Sequence, residues 1–181
     1  MSEIYVFFAD GFEEIEGLTV VDLLRRASLP VHIVSIQGPK VTGAHGISIE
    51  ADMTLEKVEE KPGDYLVLPG GMPGTKNLGA CTALREKLLN AAKNDLHVAA
   101  ICAAPSVLGD LGLLEGKEAV CYPGFEDRLK GAKVLQVPVV TDGKVTTSRG
   151  MGTAIPFGLE LIRLLCGKEK ADEIGSGILY Q

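Results

Sequence analysis

A cysteine stands where a buried strand is predicted to run straight into a helix. The apolar stretch 98–101 reads Val-Ala-Ala-Ile, and Cys102 follows it, with the small residues Ala103 and Ala104 before Pro105. A strand, a nucleophile and a helix joined by a sharp turn form a nucleophile elbow, here with Cys in place of Ser. The dipole and the first N–H groups of such a helix favour the thiolate. The spacing therefore predicts a reactive Cys102 with a pKa below the usual ~8.5. The alternative is a buried structural cysteine.

Three glutamates follow the first predicted strand, residues 4–8. Glu13, Glu14 and Glu16 precede the apolar stripe of the first helix, where solvated carboxylates complement the helix dipole. If the first and fourth strands adjoin, however, one of these carboxyls must lie near Cys102. There it could hold a proton, donate a hydrogen bond to sulfur and titrate as one unit with the thiol.

A glycine-rich loop, Leu-Pro-Gly-Gly-Met-Pro-Gly at 68–74, follows a third core strand. Paired glycines allow a backbone N–H to point into a crevice, as an oxyanion donor must. A phosphate-binding loop is the competing interpretation. The spacing matches neither G-x-G-x-x-G nor a Walker motif, and no Lys-Ser/Thr pair follows, so nucleotide binding is not favoured.

Apolar strand patterns alternate with helical patterns along the whole chain. Strands are predicted at 4–8, 31–36, 65–68 and 98–101, with shorter ones near Ala119, Val134, Val139 and 145–147 and a small hairpin around 47–50; helices are predicted at 18–27, 82–94, 104–111 and 152–165. This alternation predicts one α/β domain with a mostly parallel sheet covered on both faces. Ligands bind beyond the carboxyl ends of such strands, which selects the loops 9–16, 69–76 and 102–105.

The composition is that of a compact globular protein, with 46% hydrophobic and 23% charged residues in 181. The formal net charge of −6 disfavours nucleic acid and anionic membranes as partners. No apolar run approaches the ~18 residues of a membrane helix, and the acidic N-terminus does not resemble a signal peptide. We expect a cytoplasmic protein.

The four cysteines, Cys81, Cys102, Cys121 and Cys166, are scattered, with no C-x-x-C and no histidine at metal-ligand spacing. The sequence therefore predicts no zinc or other metal site, and nothing marks a secreted, disulfide-bonded protein.

Four motifs together, in this order and spacing, resemble the DJ/ThiJ/PfpI family: ADGFEEIE at 9–16, LPGGMPG at 68–74, AICAAP at 100–105 and TSRGMGT at 147–153. More narrowly, they are similar to the branch of the parkinsonism-linked deglycase and its bacterial relatives, and the similarity covers essentially the whole chain. The resemblance implies a flavodoxin-like, doubly wound fold and a homodimer.

The resemblance also assigns roles to single residues. It implies that Cys102 is the nucleophile, that Glu16 hydrogen-bonds to its sulfur, and that Gly71 and Ala103 contribute backbone N–H groups. The implied activities, on a small carbonyl substrate and without a cofactor, are glutathione-independent conversion of methylglyoxal to lactate and repair of early glycation adducts. Other members sense oxidants through the same cysteine or act as chaperones.

Two departures from the family pattern bear on function. The protease-like branch has His directly after the nucleophile, where this chain has Ala103, so peptidase activity is not expected. Animal members carry a His-Pro pair where this chain has Tyr122-Pro123, which leaves more of any proton transfer to Glu16. Of the three histidines, His32 and His97 are predicted to be structural, whereas His45 lies in the glycine-flanked hairpin and could face the pocket.

Overall fold

Seven strands form the main sheet of the computed structural model, which describes residues 2–180. The strands of the chain are β1 Ile4–Phe8, β2 Val31–Ser35, β3 Lys40–Thr42, β4 Ser48–Glu50, β5 Met53–Thr54, β6 Tyr65–Leu68, β7 His97–Ile101, β8 Glu118–Ala119, β9 Lys133–Val134, β10 Val139–Asp142 and β11 Val145–Ser148. The helices are α1 Glu14–Arg26, α2 Gly74–Ala80, α3 Thr82–Ala91, α4 Pro105–Asp110, α5 Ala154–Cys166 and α6 Lys168–Gly177. The main sheet has the order β10-β11-β7-β6-β1-β2-β5, in which only β10 is antiparallel to its neighbour. The pairs β3–β4 and β8–β9 are small separate sheets.

The central strands are apolar on both faces because helices cover both faces. Every residue of β1 and β6 is buried. Successive residues of β1 divide between two cores: Phe7 packs in the core that contains residues of α2, α3 and α4, while Val6 and Phe8 pack with α1 and α5. Each large side chain buried in this way contributes about 1.5–3 kcal/mol. This two-layer covering confirms the predicted flavodoxin-like, doubly wound α/β fold.

The first and fourth predicted strands are not adjacent in the sheet, contrary to the arrangement considered from the sequence. The strand β6 lies between β1 and β7, so the first and fourth predicted strands are second neighbours and do not adjoin. All three strands nevertheless run parallel and end at one edge of the sheet, at Phe8, Leu68 and Ile101. The loops after them therefore meet at that edge, and the β6 loop lies between the other two.

The structure contains two helices that the apolar pattern did not reveal. The helix α2 reads Gly-Thr-Lys-Asn-Leu-Gly-Ala and buries one large side chain, Leu78, so it has no apolar stripe. The helix α6 follows α5 after the single residue Gly167 and buries only Ala171, Ile174 and Gly175. Within residues 2–180, each helix is too short or too polar to cross a bilayer.

The predicted hairpin forms from β3 and β4 and is fastened to the loop after β1. The N–H of Gly11 donates to the carbonyl of Thr42 at 2.8 Å, and the N–H of Thr42 donates to Asp10 Oδ1 at 2.8 Å. The N–H of Ala44 donates to the carbonyl of Phe12 at 2.8 Å. These bonds place the tip of the hairpin, with His45, beside the start of α1.

Candidate active site

Cys102 occupies a strained backbone position immediately after β7. Its φ is +65°, in the left-handed region that non-glycine residues rarely adopt. Two hydrogen bonds hold its backbone: its N–H donates to the carbonyl of Ser148 at 3.0 Å, and its carbonyl accepts from the N–H of Tyr122 at 2.8 Å. The neighbours β11 and the segment after β8 thus keep the elbow in place, and the side chain is half-buried at the edge of the sheet.

Glu16 is the glutamate that reaches the cysteine. It lies in the first turn of α1, is 1% exposed, and accepts a hydrogen bond from the N–H of Gly70 to Oε2 at 2.9 Å. Its other oxygen, Oε1, has no nitrogen or oxygen partner within residues 2–180, and the side chain interacts with the Cys102 thiol. The predicted pairing of Glu16 with Cys102 is therefore present in the geometry.

Gly70, which the sequence analysis did not single out, is what allows this pairing. A Cβ atom added to Gly70 would lie 2.5 Å from Glu16 Oε2 and 2.6 Å from Cys102 Cβ. Real Cβ atoms do not approach other heavy atoms so closely, so a side chain at Gly70 would separate the carboxyl from the thiol. The paired glycines of the loop are the sequence feature that could have indicated this. Gly70 provides the space between the carboxyl and the thiol, and Gly71 provides a backbone N–H donor to the thiol.

Backbone donors converge on the sulfur as predicted for Gly71 and Ala103. Both N–H groups hydrogen-bond to Cys102 and act to lower its pKa. Gly71 has φ +90°, and a Cβ atom on it would lie 2.3 Å from the backbone nitrogen of Glu13. Only glycine fits there, because the loop passes against the start of α1 while turning its N–H toward the sulfur.

The pKa of the Cys102 thiol is raised to about 12, by burial first and then by the charge of Glu16, which outweigh the two backbone donors. The prediction of a lowered pKa was therefore wrong. The helix expected to favour the thiolate, α4, has six residues and begins at Pro105, so its dipole is small compared with the effect of burial.

The same burial raises the pKa of Glu16 to about 7, helped by the charge of Glu13 and opposed by the hydrogen bonds from Cys102 and Gly70. With Glu16 ionised, deprotonating Cys102 would place two negative charges side by side. The thiolate consequently forms as Glu16 takes up the proton, and the pair holds one shared proton.

Tyr122 lies at the mouth of the site and is 51% exposed. Its ring contacts Gly150: a Cβ atom on Gly150 would lie 3.2 Å from Tyr122 Cδ2 and 3.9 Å from Glu16 Oε1. Gly150 therefore lies next to both the aromatic ring and the carboxyl. It belongs to the TSRGMGT motif, but the spacing of that motif gave no indication of this contact.

His45 is near the site but is engaged by two other glutamates. Its ring Nδ1 lies 2.9 Å from Glu14 Oε2 and 3.7 Å from Glu13 Oε2, and its backbone N–H donates to Glu14 Oε1 at 2.8 Å. The hydrogen bond with Glu14 raises the pKa of His45. Although burial acts in the opposite direction, the bonds from His45 and Ile47 lower the pKa of Glu14. Glu14 is thus a buried anchor for the hairpin.

Glu13, Glu14 and His45 also offer three ligand atoms within 4.8 Å of one another, the one grouping among residues 2–180 that could hold a metal ion. Its members are already paired with one another, and acidic groupings of this kind are common without an ion.

The other two histidines lie near the amino ends of their strands, at the edge of the sheet opposite to the one that carries Cys102. His32 pairs with Glu3 at 2.7 Å and stacks on Tyr5, and His97 stacks on Tyr65 with ring centroids 4.3 Å apart. Neither lies at the edge that carries Cys102, in agreement with their predicted structural role.

The sequence profile of the DJ-1/PfpI family matches residues 2–164. The chain belongs to this family. Protein DJ-1 homolog A of Arabidopsis thaliana is 40% identical over 177 residues, which is 96% of this chain and 45% of that protein. The chain spans a similar share, 40%, of the second Arabidopsis relative, DJ-1 homolog B.

A relative of more similar length is the Caenorhabditis elegans protein named glutathione-independent glyoxalase DJR-1.2. It is 34% identical over 164 residues, 90% of this chain and 87% of that protein. Among solved structures, oxidized DJ-1 of Toxoplasma gondii superposes with a TM-score of 0.94 at 36% identity and covers 99% of both chains. These matches confirm the family resemblance and the fold.

Proposed function

We propose that this DJ-1/PfpI member is a cysteine-dependent glyoxalase or deglycase that acts on methylglyoxal-type dicarbonyls or early glycation adducts without a cofactor. The observation that carries the proposal is the buried Glu16, whose pKa is about 7, in contact with the Cys102 thiol. A group that takes and returns protons at neutral pH needs such a pKa. The name of the C. elegans relative supports the reaction class.

The first step forms a hemithioacetal. Glu16 takes the thiol proton while Cys102 Sγ bonds to the aldehyde carbon, and the carbonyl oxygen gains the negative charge. Glu16 then gives that proton to the oxygen, which leaves a neutral hemithioacetal and an ionised Glu16. The N–H groups of Gly71 and Ala103, which point at the sulfur, are within reach of that oxygen and stabilise it. No histidine is required for this step.

The second step moves a proton between adjacent carbons. The ionised Glu16 removes the proton from the carbon bonded to sulfur and returns it to the neighbouring carbon, while the hydroxyl proton passes to the neighbouring oxygen. These two transfers convert the hemithioacetal into a thioester of lactate. Water then hydrolyses the thioester, releasing lactate and the free thiol, so that methylglyoxal plus water gives lactic acid. Burial of Glu16 keeps its basicity high enough to act as the base in this step.

Lactate production from methylglyoxal in the absence of glutathione tests the proposal. The wild-type protein should produce lactate, and Cys102→Ser should not. Cys166→Ser is the matched control, because that thiol is exposed on the last turn of α5. A wild-type protein that neither forms lactate nor removes methylglyoxal adducts from lysine or cysteine derivatives would contradict the proposal.

A second candidate function uses the same site as an oxidant sensor with chaperone activity. The N–H groups of Gly71 and Ala103 could hold a sulfinate oxygen on Cys102 as well as an oxyanion. The T. gondii relative was solved in an oxidized form. This candidate predicts oxidation of Cys102 at low peroxide together with absent dicarbonyl turnover.

We also propose that the chain forms a homodimer, as the family resemblance implies, and that it is cytoplasmic, as its composition suggests. Light scattering after size-exclusion chromatography should give twice the mass of 19.1 kDa.

A further inference from the structure

A cleft of about 390 Å³ opens on the face of the protein that carries α2, α3 and α4. Three cationic side chains line it, Lys76 from α2, Arg85 from α3 and Arg128 from the 3-10 turn Glu126–Arg128. We call this group the basic cleft. A concentration of positive charge is unexpected in a chain of net charge −6.

The carboxylate in the basic cleft does not neutralise it. Asp110 pairs with Arg128 and also lies 3.6 Å from Lys130 Nζ, so one negative charge serves two cations. Among the residues that the structure describes, Lys76 and Arg85 form no ion pair, although four of the six arginines do. The Arg85 guanidinium makes one long hydrogen bond, to the carbonyl of Gly79 at 3.3 Å. Most of its donors are therefore available.

A buried hydroxyl in the wall of the cleft also lacks a partner. Thr75 is 2% exposed, and within residues 2–180 its Oγ1 accepts and donates no hydrogen bond. Native structures rarely leave a buried hydroxyl unpaired, so such a group calls for a ligand or water. Apolar surface from Met72 and Val107 completes the wall.

We propose that the basic cleft binds a small molecule that carries a phosphate monoester, of about the size of a sugar phosphate. Guanidinium groups bind phosphate through two parallel hydrogen bonds, and a lysine adds a point charge. A doubly charged phosphate suits two unpaired cations and an arginine whose carboxylate partner is shared with Lys130 better than a singly charged carboxylate does. The volume lies in the range of small-ligand sites, and the methionine and valine surface suits the carbon skeleton. The inference does not rest on the chemistry of Cys102.

Calorimetric titration with inorganic phosphate, glycerol phosphate and acetate, at constant ionic strength, tests this site. The wild-type protein should bind both phosphate compounds saturably, and acetate more weakly. The double variant Lys76→Ala/Arg85→Ala should lose at least about tenfold in affinity, since charge-assisted hydrogen bonds are the strong ones. Amide chemical shifts should change in α2, α3 and residues 126–128.

The matched control is Lys40→Ala/Lys57→Ala, which removes two exposed charges from other parts of the surface and should leave binding unchanged. Thr75→Val removes the unpaired hydroxyl and should weaken phosphate binding without lowering the melting temperature. Absence of saturable phosphate binding, tighter binding of acetate, or equal losses in the control would each overturn the inference. So would shift changes confined to the loop of Gly71 and Cys102.

Discussion

Glu16 and Cys102 both pack against the α-carbon of Gly70, which leaves no room there for a side chain. The backbone N–H of Gly70 donates to Glu16 Oε2 at 2.9 Å. Gly70 therefore sets the separation of Glu16 and Cys102, and its N–H also acts to lower the pKa of Glu16. The pairing depends on three loops from three parallel strands, and the middle loop acts as the spacer.

Gly70→Ala should disrupt the site. The added methyl group would also lie 2.9 Å from the carbonyl oxygen of Ile101, which is backbone and cannot turn away. We expect a loss of about 1–3 kcal/mol in the free energy of unfolding, typical of overpacking, and a large loss of dicarbonyl turnover. Chemical denaturation and lactate assays measure the two effects.

Gly38→Ala is the control for that substitution, because nothing lies within 4 Å of a Cβ atom there. Equal stability and turnover in the two variants would show that the space at Gly70 is unimportant.

Glu16→Gln should separate reactivity toward alkylating agents from turnover. Because burial and then the Glu16 charge raise the pKa of Cys102, removing that charge should lower the pKa and speed alkylation by iodoacetamide near neutral pH. Turnover should nevertheless fall about 10²- to 10⁴-fold, since Gln cannot accept and return a proton. Thiolate absorbance during a pH titration gives the pKa. An unchanged thiol pKa together with wild-type turnover would remove Glu16 from the mechanism.

Stability should decrease as the pH rises through the titration of Glu16. Burial raises the pKa of this carboxyl from 4.5 to about 7, so between those values the folded state binds more protons than the unfolded state. The stabilising contribution is complete below pH 4.5 and is lost as the pH approaches 7, by up to about 3 kcal/mol. Urea denaturation across this window should show the decrease in the wild type and a flatter profile in Glu16→Gln. Parallel profiles would contradict the raised pKa.

Low hydrogen peroxide should convert Cys102 to the sulfinic acid and stop there, because Glu16, unlike any group that the structure describes beside Cys121, can take up the thiol proton that the raised pKa otherwise retains. The donors from Gly71 and Ala103 suit an anionic oxygen, and a protonated Glu16 adds another. Intact-mass spectra should show a gain of two oxygen atoms that is absent from Cys102→Ser. Glu16→Asp, one methylene shorter, should alter the product distribution.

A loss of two hydrogens instead would indicate a disulfide. Cys121 is the thiol to examine, because the residue after it hydrogen-bonds to the carbonyl of Cys102. It is buried, however, and burial raises its pKa to about 11, which disfavours attack.

The layers of the fold could be predicted from the sequence because β1, β6 and residues 98–101 of β7 are uninterrupted apolar runs. It was insufficient for α2, whose residues carry almost no apolar stripe. The local spacing correctly predicted that Cys102 lies at the strand–helix turn. The direction of its pKa shift depends on burial by segments distant in the sequence, and local spacing carries no information about that burial.

The roles of the three acidic residues could likewise be predicted only in part from the sequence. The sequence pattern alone left Glu13, Glu14 and Glu16 equivalent, and only the family resemblance selected Glu16. The structure separates them by their partners: Glu14 and Glu13 lie against His45, and Glu16 lies against Cys102. Glu14 and His45 are more than thirty residues apart in the sequence, and Glu16 and Cys102 are more than eighty apart. A local sequence pattern cannot predict contacts over such separations.

The positive φ of Cys102, held by backbone hydrogen bonds with Ser148 and Tyr122, means that the main chain fixes the direction of the Cα–Cβ bond that carries the sulfur. A cysteine in a relaxed conformation can turn an added group toward solvent by moving its backbone slightly. Here the two hydrogen bonds oppose such a movement, so an atom attached to the sulfur has to be accommodated by rotation of the side chain and by the surrounding loops. Those loops follow three neighbouring strands, so a change of a few atoms at this thiol bears on three strand ends at once.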